Sequence, residues 1–348
     1  MTRLLACFGV ALALVVVACG EETPAGNGTE SDISRVRDLG RGSDESSDGF
    51  VPDVGEDSTV GTDMIGFEIE EDESGPLPDL ACFTDNDNDG HYAISCGGDD
   101  CDDNEWWRNP GQEEVCDNLD NNCNEALNDG ITCQFYAHTA SDLYLIDPFK
   151  MTAQRITSVP NGLWDIDTDA NGDLWGLSDS NLYRLRPGST SWEDVADLDP
   201  DWDDANGLAI DQSNQAFISA GSQLYSIDLT TGNSQLVGNF GGGWRSSGDL
   251  VINKDNSFFM SHRADNDSVS PDTLVQVDGE DAHATQVGVM THNGVFGLTA
   301  AWGILFGVTK SGHLLRIDEI TGQAQLLHTF QDFGEGLRFY GAASTPQR

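Results

Sequence analysis

A short strand pattern recurs along residues 134–348 of the chain. Each copy alternates apolar and polar positions, and most copies end in Asp. The five copies are Leu143–Asp147, Leu182–Leu185, Leu224–Asp228, Leu274–Asp278 and Leu314–Asp318, and they begin 39 to 50 residues apart. Alternation with a period of two is typical of a strand with one buried face, and a recurring length indicates a modular array.

A second marker, a polar residue followed by Gly, precedes an apolar stretch in each repeat. The markers are Asn161-Gly162, Asn206-Gly207, Ser247-Gly248, Asn293-Gly294 and Glu335-Gly336. Turn signals such as Thr230–Asn233 follow several of the strands. Short strands, about four per repeat, are typical of propeller blades. The five markers therefore predict an all-β, five-bladed β-propeller over residues 134–348.

The two ends of this region predict how the propeller closes. The segment 337–344 has no later strand to pair with, and the segment 134–138 has no inner strand before it. Joining them gives one composite blade formed by both termini, which removes the free sheet edges. The repeats resemble NHL-like and SMP-30-like propellers in a general way.

The chain begins with a predicted secretory signal peptide over residues 1–18. Arg3 precedes an unbroken run of apolar or small residues, 4–18, that is too short for a transmembrane helix of about 20 residues. The end of the run, Val16-Val17-Ala18-Cys19, resembles the bacterial lipobox. That resemblance implies lipid attachment at Cys19, and with Gly20 it implies the outer membrane of a Gram-negative bacterium. An ordinary cleaved signal is the alternative.

Charge is distributed unevenly along the 348 residues. The chain has 60 Asp and Glu against 16 Lys and Arg, a net charge of −44. This balance excludes a nucleic-acid partner, because Lys and Arg supply the affinity for phosphates. Residues 19–80 are rich in acidic, Gly and Ser residues and lack a sustained apolar period. We expect them to form a disordered acidic tether between the lipidated Cys19 and the folded region.

Residues 81–133 form a predicted disulfide-rich cassette. Six of the eight cysteines lie here: Cys82, Cys96, Cys101, Cys116, Cys123 and Cys133. An even number in a short extracytoplasmic segment indicates a disulfide framework, although spacing does not choose the pairing. Zinc is the competing interpretation, but the segment has no CxxC pair.

Acidic residues between these cysteines indicate a metal site. Asp85–Gly90 has the DxDxDG spacing that opens an EF-hand loop, but Cys96 stands where the bidentate Glu of that loop is expected. The segment 99–103 is the expected source of the missing carboxylates. Oxygen-only ligands favour calcium. The candidate ligands are Asp85, Asp87, Asp89, Asp100, Asp102 and Asp103, with a weaker second set at Asp117 and Asp120.

The stretch from Asp85 to Asp129 resembles the MopE-type metal-binding motif, through its DxDxDG start, the Asp100–Asp103 string and Pro110-Gly111 before Cys116. The motif's end departs from the pattern, since Asn118, Asn122 and Asn124 replace a Gly and two Asp. The family name implies copper. The cassette offers only His91, no Met and no free thiol pair, so calcium is expected, with a structural role rather than a sensor or transport role.

The propeller itself offers a second candidate site. We expect Asn161, Asn206, Asn293 and Glu335 to gather at one mouth of the central channel. The segment 206–211 resembles a strand of SMP-30-like lactonases, which hold a divalent ion at such a mouth. The segment 167–173 is predicted to be a hairpin turn, with a calcium loop as the alternative.

These features predict a membrane-anchored binding or interaction protein with structural calcium and an unidentified protein or glycan partner. We expect no catalysis, because the sequence marks no general base. The alternative is a metal-dependent SMP-30-like hydrolase acting at the channel mouth. A purely structural component of the cell envelope is a third interpretation.

Overall fold

The computed structural model describes residues 85–198, 204–263, 269–332 and 335–344. The chain divides into the units Met1–Asp72 and Glu73–Arg348, and all described residues belong to the second unit. The predicted signal peptide, Cys19, the tether and Cys82 lie outside the described residues. Helix in the described ranges is limited to a 3₁₀ turn at Ile94–Cys96. No helix there is long and apolar enough to cross a membrane.

Residues 135–344 form five four-stranded antiparallel sheets and one short hairpin. The strands are β1 Phe135–His138, β2 Asp142–Asp147, β3 Thr152–Ser158, β4 Leu163–Thr168, β5 Leu174–Ser178, β6 Asn181–Leu185, β7 Glu193–Asp197, β8 Ala205–Ile210, β9 Ala216–Ala220, β10 Gln223–Ile227, β11 Ser234–Asn239, β12 Ser246–Ile252, β13 Phe258–His262, β14 Thr273–Val277, β15 Ala284–Val289, β16 Val295–Ala301, β17 Ile304–Thr309, β18 His313–Ile317, β19 Ala324–Thr329, β20 Gln331–Asp332, β21 Glu335–Gly336 and β22 Gly341–Ala343. The predicted five-bladed propeller is confirmed.

Blade 1 joins the two ends of the propeller, as the sequence predicted. Its strand order is β22-β1-β2-β3, while blades 2 to 5 are β4–β7, β8–β11, β12–β15 and β16–β19. Strand β22 pairs antiparallel with β1, with Ala343 opposite Tyr136 and Gly341 opposite His138. The strands β22, β4, β8, β12 and β16 pack against one another around the central axis and are called the inner strands below.

Burial falls from the axis to the rim of each blade. Every residue of β5 and β9 is buried, whereas the outer strands β7 and β11 are mostly exposed. The core therefore lies between neighbouring blades, as in the cluster that joins Leu177 and Leu182 of blade 2 to Ile210 and Ile218 of blade 3. Burial on both faces explains why second strands such as β5 and β9 are nearly continuous runs of apolar and small residues rather than alternating ones.

The Leu-Tyr marker and the Gly marker behave differently. The Leu-Tyr strands are β2, β6, β10, β14 and β18, which hold the same position in every blade. The polar-Gly pairs do not hold one common position in the blades. Asn206-Gly207 lies inside the inner strand β8, but Asn161-Gly162 and Asn293-Gly294 lie in turns, where Gly162 and Gly294 have φ of 75° and 64°. Glu335-Gly336 forms β21 of the separate hairpin.

The segment 167–173 joins β4 to β5, which confirms the predicted hairpin turn. The Asp169 carboxylate accepts hydrogen bonds from the backbone N–H groups of Asn171 and Asp173, at 2.9 and 3.0 Å. Asp211 and Asn253 accept equivalent bonds in the matching turns of blades 3 and 4. These side chains therefore cap turns of the blades.

Candidate functional sites

Two disulfides hold the described part of the cassette. Cys101 is bonded to Cys123 and Cys116 to Cys133, with Cα–Cα distances of 5.5 and 5.6 Å. Cys96 is also disulfide-bonded. Disulfide sulfurs are not thiolates, so these cysteines do not supply the ligands that a zinc site requires.

Three carboxylates converge in the loop that begins at Asp85. One oxygen from each of Asp85, Asp87 and Asp89 lies within 4.8 Å of the others. Backbone N–H groups hold the loop, since the Asp85 carboxylate accepts from Asp89 at 3.2 Å and from Gly90 at 2.9 Å. Gly90 has φ of 96°, which permits the sharp turn. Because calcium–oxygen distances are about 2.3–2.6 Å, oxygens on opposite sides of one ion are about 5 Å apart. The three oxygens fit around such an ion.

Asp100 faces this loop from the second half of the cassette. Its side chain is only 1% exposed, and Asp100 N donates to the Tyr92 carbonyl at 3.0 Å. Burial and the nearby Asp89 carboxylate raise the pKa of Asp100, and burial and Asp89 likewise raise the pKa of Asp87. Asp100 Oδ2 and Asp87 Oδ2 are both buried and have no hydrogen-bond donor. Buried oxygens of this kind need a partner, and a cation supplies one.

A second layer of side chains fixes the carboxylates. Asn109, which is buried, donates from Nδ2 to Asp89 Oδ2 at 2.7 Å. Two predicted ligands belong to this layer. Asp102 pairs with Arg108 at 2.6 Å, and Asp103 accepts from the Asn86 side-chain amide at 2.6 Å. The described geometry thus centres the candidate metal site on Asp85, Asp87 and Asp89, with Asp100 close enough for its charge to raise the pKa of Asp87.

The second predicted set, Asp117 and Asp120, is held by the protein's own donors. Asp117 accepts from Leu119 N at 2.8 Å. Asp120 accepts from Asn124 N at 3.1 Å and from Glu125 N at 2.7 Å. The Asn124 amide in turn donates to Asp129 at 3.0 Å. Asn124 therefore supplies a hydrogen-bond donor at a position where the motif has an Asp, whose carboxylate could bind a metal ion.

Glu114 matches a position of the MopE-type motif but was not predicted as a site residue, although it organises the second half of the cassette. It is buried, and its Oε1 accepts from Asn121 N and Asn122 N at 2.9 and 3.0 Å. Its Oε2 accepts from Asn128 N at 2.8 Å. A carboxylate with three backbone donors fixes a loop without a metal. Its position two residues before Cys116 was visible in the sequence, but nothing there showed its burial.

A buried pair of carboxyl groups at the propeller axis was also missed. Asp165 on β4 and Asp249 on β12 are fully buried and share a hydrogen bond. Burial raises the pKa of both groups well above the usual range. The charge of Asp249 raises the pKa of Asp165 further, and the charge of Asp167 raises that of Asp249. The Oδ1 atoms have no other donor in the described chain, so one carboxyl keeps a proton. The sequence feature that could have revealed the pair is the residue type at one inner-strand position. Asp165 and Asp249 stand where the other blades have Gly207, Gly297 and Gly341.

The residues predicted to gather at the channel mouth occupy different surroundings. The Asn206 amide donates to the Ser246 carbonyl at 3.3 Å, and the Asn293 amide donates to the Val269 carbonyl at 3.0 Å. Asn161 is exposed in the turn before β4. Only the backbone of Glu335 is described. The buried carboxyl groups on the described inner strands are instead Asp165, Asp167 and Asp249.

Comparison with known proteins supports the cassette motif. Residues 100–129 match the family Cu-binding MopE, whose description is "Putative metal-binding motif". This match agrees with the resemblance seen in the sequence and covers its second half. No curated protein matches the chain.

The similar solved structures are distant. A catalytically inactive virginiamycin B lyase from Staphylococcus aureus, crystallised with quinupristin, is 13% identical over 54% of this chain and 62% of that chain, with a TM-score of 0.35. Proteins of unknown function from Bacteroides thetaiotaomicron and Bacteroides caccae are 11% and 9% identical. They align over 63% and 60% of this chain, and over 64% and 77% of their own lengths, with TM-scores of 0.42 and 0.38. The chain thus spans less than two thirds of the lyase and of the Bacteroides thetaiotaomicron protein.

Proposed function

We propose that the protein is an extracytoplasmic binding protein in which calcium stabilises the cassette and the propeller presents the binding surface. The observation that carries the calcium assignment is the convergence of Asp85, Asp87 and Asp89 on the side where Asp100 keeps a buried oxygen without a donor. The ligand set contains only oxygen atoms, which favours a hard cation over copper or zinc.

The ion has a structural role in this proposal. The two segments that supply the carboxylates, 85–90 and 99–103, are joined by hydrogen bonds from the backbone and side-chain amides of Asn86 to the Asp103 carboxylate. The four carboxylates also repel one another. A divalent cation removes that repulsion and links the two segments, so that binding contributes directly to folding.

Calcium titration by calorimetry tests the assignment on the purified full chain. We expect about one tightly bound calcium per chain, and a loss of at least tenfold in affinity for Asp87→Asn and Asp100→Asn. Glu113→Gln is the matched control, because Glu113 lies exposed in the same cassette. Equal affinity in all four proteins, or no binding in any, overturns the site.

We also propose that the protein is attached to the outer membrane through lipid on Cys19. The support is the run that ends in Val16-Val17-Ala18-Cys19 and the acidic segment that follows it. Metabolic labelling with an alkyne fatty acid in the native host, or in a Gram-negative expression host, tests this. We expect label and membrane fractionation for the natural chain, and loss of both for Cys19→Ala. Unlabelled natural protein in the soluble fraction contradicts the anchor.

A further inference from the structure

Three aromatic side chains line one mouth of the propeller. Strand pairing places Trp164, Phe296 and Tyr340 at equivalent positions, one residue before Asp165, Gly297 and Gly341. They stand at the beginnings of three consecutive inner strands, β4, β16 and β22. Phe296 and Tyr340 are stacked, with ring centroids 6.1 Å apart and planes 17° apart. Trp164 is 41% exposed and is fixed by a 2.6 Å hydrogen bond from Nε1 to Asp179.

Two cationic side chains lie at the same mouth. Arg263 follows β13 and Lys310 follows β17, the second strands of blades 4 and 5, which run towards this end of the channel. The Arg263 guanidinium lies 5.3 Å from the centre of the Phe296 ring, and Lys310 Nζ lies 5.9 Å from it. The whole chain has only 16 Lys and Arg against 60 acidic residues, so two cations on one ring mark an unusual surface.

Neither Arg263 nor Lys310 forms an ion pair within the described residues. The carboxyl group of Asp272 lies close enough for the charges of both to act on it. That group is fully buried, and its Oδ2 accepts from Val295 N at 2.7 Å. Burial raises the pKa of Asp272, while Arg263 and Lys310 oppose that rise through their charges. With Asp272 ionised, Asp272 and Asp179, which holds Trp164, balance the charges of the two cations at this mouth.

We propose that this mouth binds a monocarboxylate carried on a ring, of the sugar-acid class. Because Asp272 and Asp179 offset the two cations, a single negative charge suits the mouth better than a phosphate dianion. Arg263 and Lys310 donate to the carboxylate, and the exposed face of Trp164 contacts the ring. The net charge of −44 repels polyanions that come within the screening length of about 8 Å of the surface, which favours a small ligand. The inference rests on the proposed role of the propeller as a binding module and names its ligand.

Calorimetry on the calcium-loaded full chain tests the proposal, with D-glucuronate, D-glucose and benzoate as probes. We expect glucuronate to bind with a dissociation constant of millimolar order or lower, and glucose to bind at least tenfold more weakly. Arg263→Gln and Lys310→Gln should each weaken glucuronate binding at least fivefold, and Trp164→Ala should do the same. Arg316→Gln is the matched control, because Arg316 is exposed on β18, the third strand of blade 5.

The outcomes separate this proposal from the calcium proposal. Calcium binding without glucuronate binding overturns the ligand assignment alone. Binding of benzoate but not glucuronate overturns the sugar-acid class. Glucuronate binding that is unchanged in both cation variants overturns the mouth as its site. Thermal unfolding of each variant, compared with the natural chain, identifies any loss of binding that comes from a folding defect.

Discussion

Asp249 joins three inner strands of the propeller. Its Oδ2 atom accepts a hydrogen bond from Leu298 N on β16 at 2.7 Å and one from Ala342 N on β22 at 3.3 Å. Asp165 links the inner strands β4 and β8 in a similar way, because its Oδ2 atom accepts a hydrogen bond from Leu208 N at 2.7 Å. The blades are therefore linked at the axis by side chains as well as by apolar packing, and the carboxyl pair closes the centre of the channel.

Removal of the Asp249 carboxyl should destabilise the propeller. Asp249→Ala leaves two buried N–H groups without acceptors, which should cost about 2–4 kcal/mol of unfolding free energy. Asp249→Asn keeps an acceptor oxygen and should cost clearly less. Urea unfolding at pH 7 measures both. Equal losses in the two variants would show that the cross-strand hydrogen bonds contribute little.

The carboxyl pair should also give the protein a characteristic pH dependence. Because the folded pKa of both groups lies above 3.8, the native state holds more protons than the unfolded state between that value and the folded pKa. Their stabilising contribution is complete at low pH and is lost as pH rises through the folded pKa. Asp167 and His138 are the other titratable groups that face the pair.

Replacement of one partner tests this pH dependence. Asp165→Asn removes the shared proton, so the decline of unfolding free energy as pH rises above 3.8 should become shallower than in the natural chain. Urea unfolding at several pH values measures the slopes. An unchanged slope would mean that the pair does not titrate in this range.

His138 should act in the opposite direction. Burial lowers its pKa to about 4, so the native state excludes a proton that the unfolded state accepts. Its contribution is present above pH 6.5 and is lost as pH falls through about 4, a change of about 3 kcal/mol at about 1.4 kcal/mol per pKa unit. His138→Gln should abolish that acid-side loss. The carboxyl pair adds unfolding free energy as pH falls, while His138 removes it. If the two effects cancel, the natural chain will have the same unfolding free energy at pH 7 and pH 4.5. In that case His138→Gln should become more stable on acidification.

Gly341 allows blade 1 to close. A Cβ at this position would meet Asp165 Oδ1 and His138 Nε2. Gly341→Ala should therefore lower the unfolding free energy by about 1–3 kcal/mol through overpacking. Ala140→Ser, on an exposed loop, is the control and should change it by less than about 0.5 kcal/mol. Thermal unfolding distinguishes the two, and equal stability would mean that the axis has room for a methyl group.

Asn109 should tune the candidate calcium site without contacting the ion. Its amide fixes Asp89 Oδ2, and loss of such a supporting contact typically lowers metal affinity by about 10–100-fold. Asn109→Ala should show that loss in calcium titrations, whereas Glu113→Gln should not. Identical affinities would show that the Asp85–Gly90 loop holds its own geometry.

The sequence predicted the architecture better than it predicted the sites. The Leu-Tyr strands were recognisable because period-2 burial leaves a direct trace in residue order. The polar-Gly marker mixed two kinds of glycine: Gly162 and Gly294 adopt positive φ in turns, whereas Gly207 allows inner strands to approach closely. The channel-mouth set built on that marker therefore missed Asp165 and Asp249. In the cassette, spacing indicated the Asp85–Gly90 loop, but burial, which singles out Asp100 and Glu114, depends on the three-dimensional fold.

Hydrogen exchange on the full chain, with calcium and after chelation, tests the central claim most directly. If calcium is a structural ion of the cassette, chelation should increase amide exchange within residues 85–133 and leave the inner strands β4, β8, β12, β16 and β22 unchanged. Faster exchange in the inner strands with an unaffected cassette would contradict this account, because it would place the ion in the propeller channel.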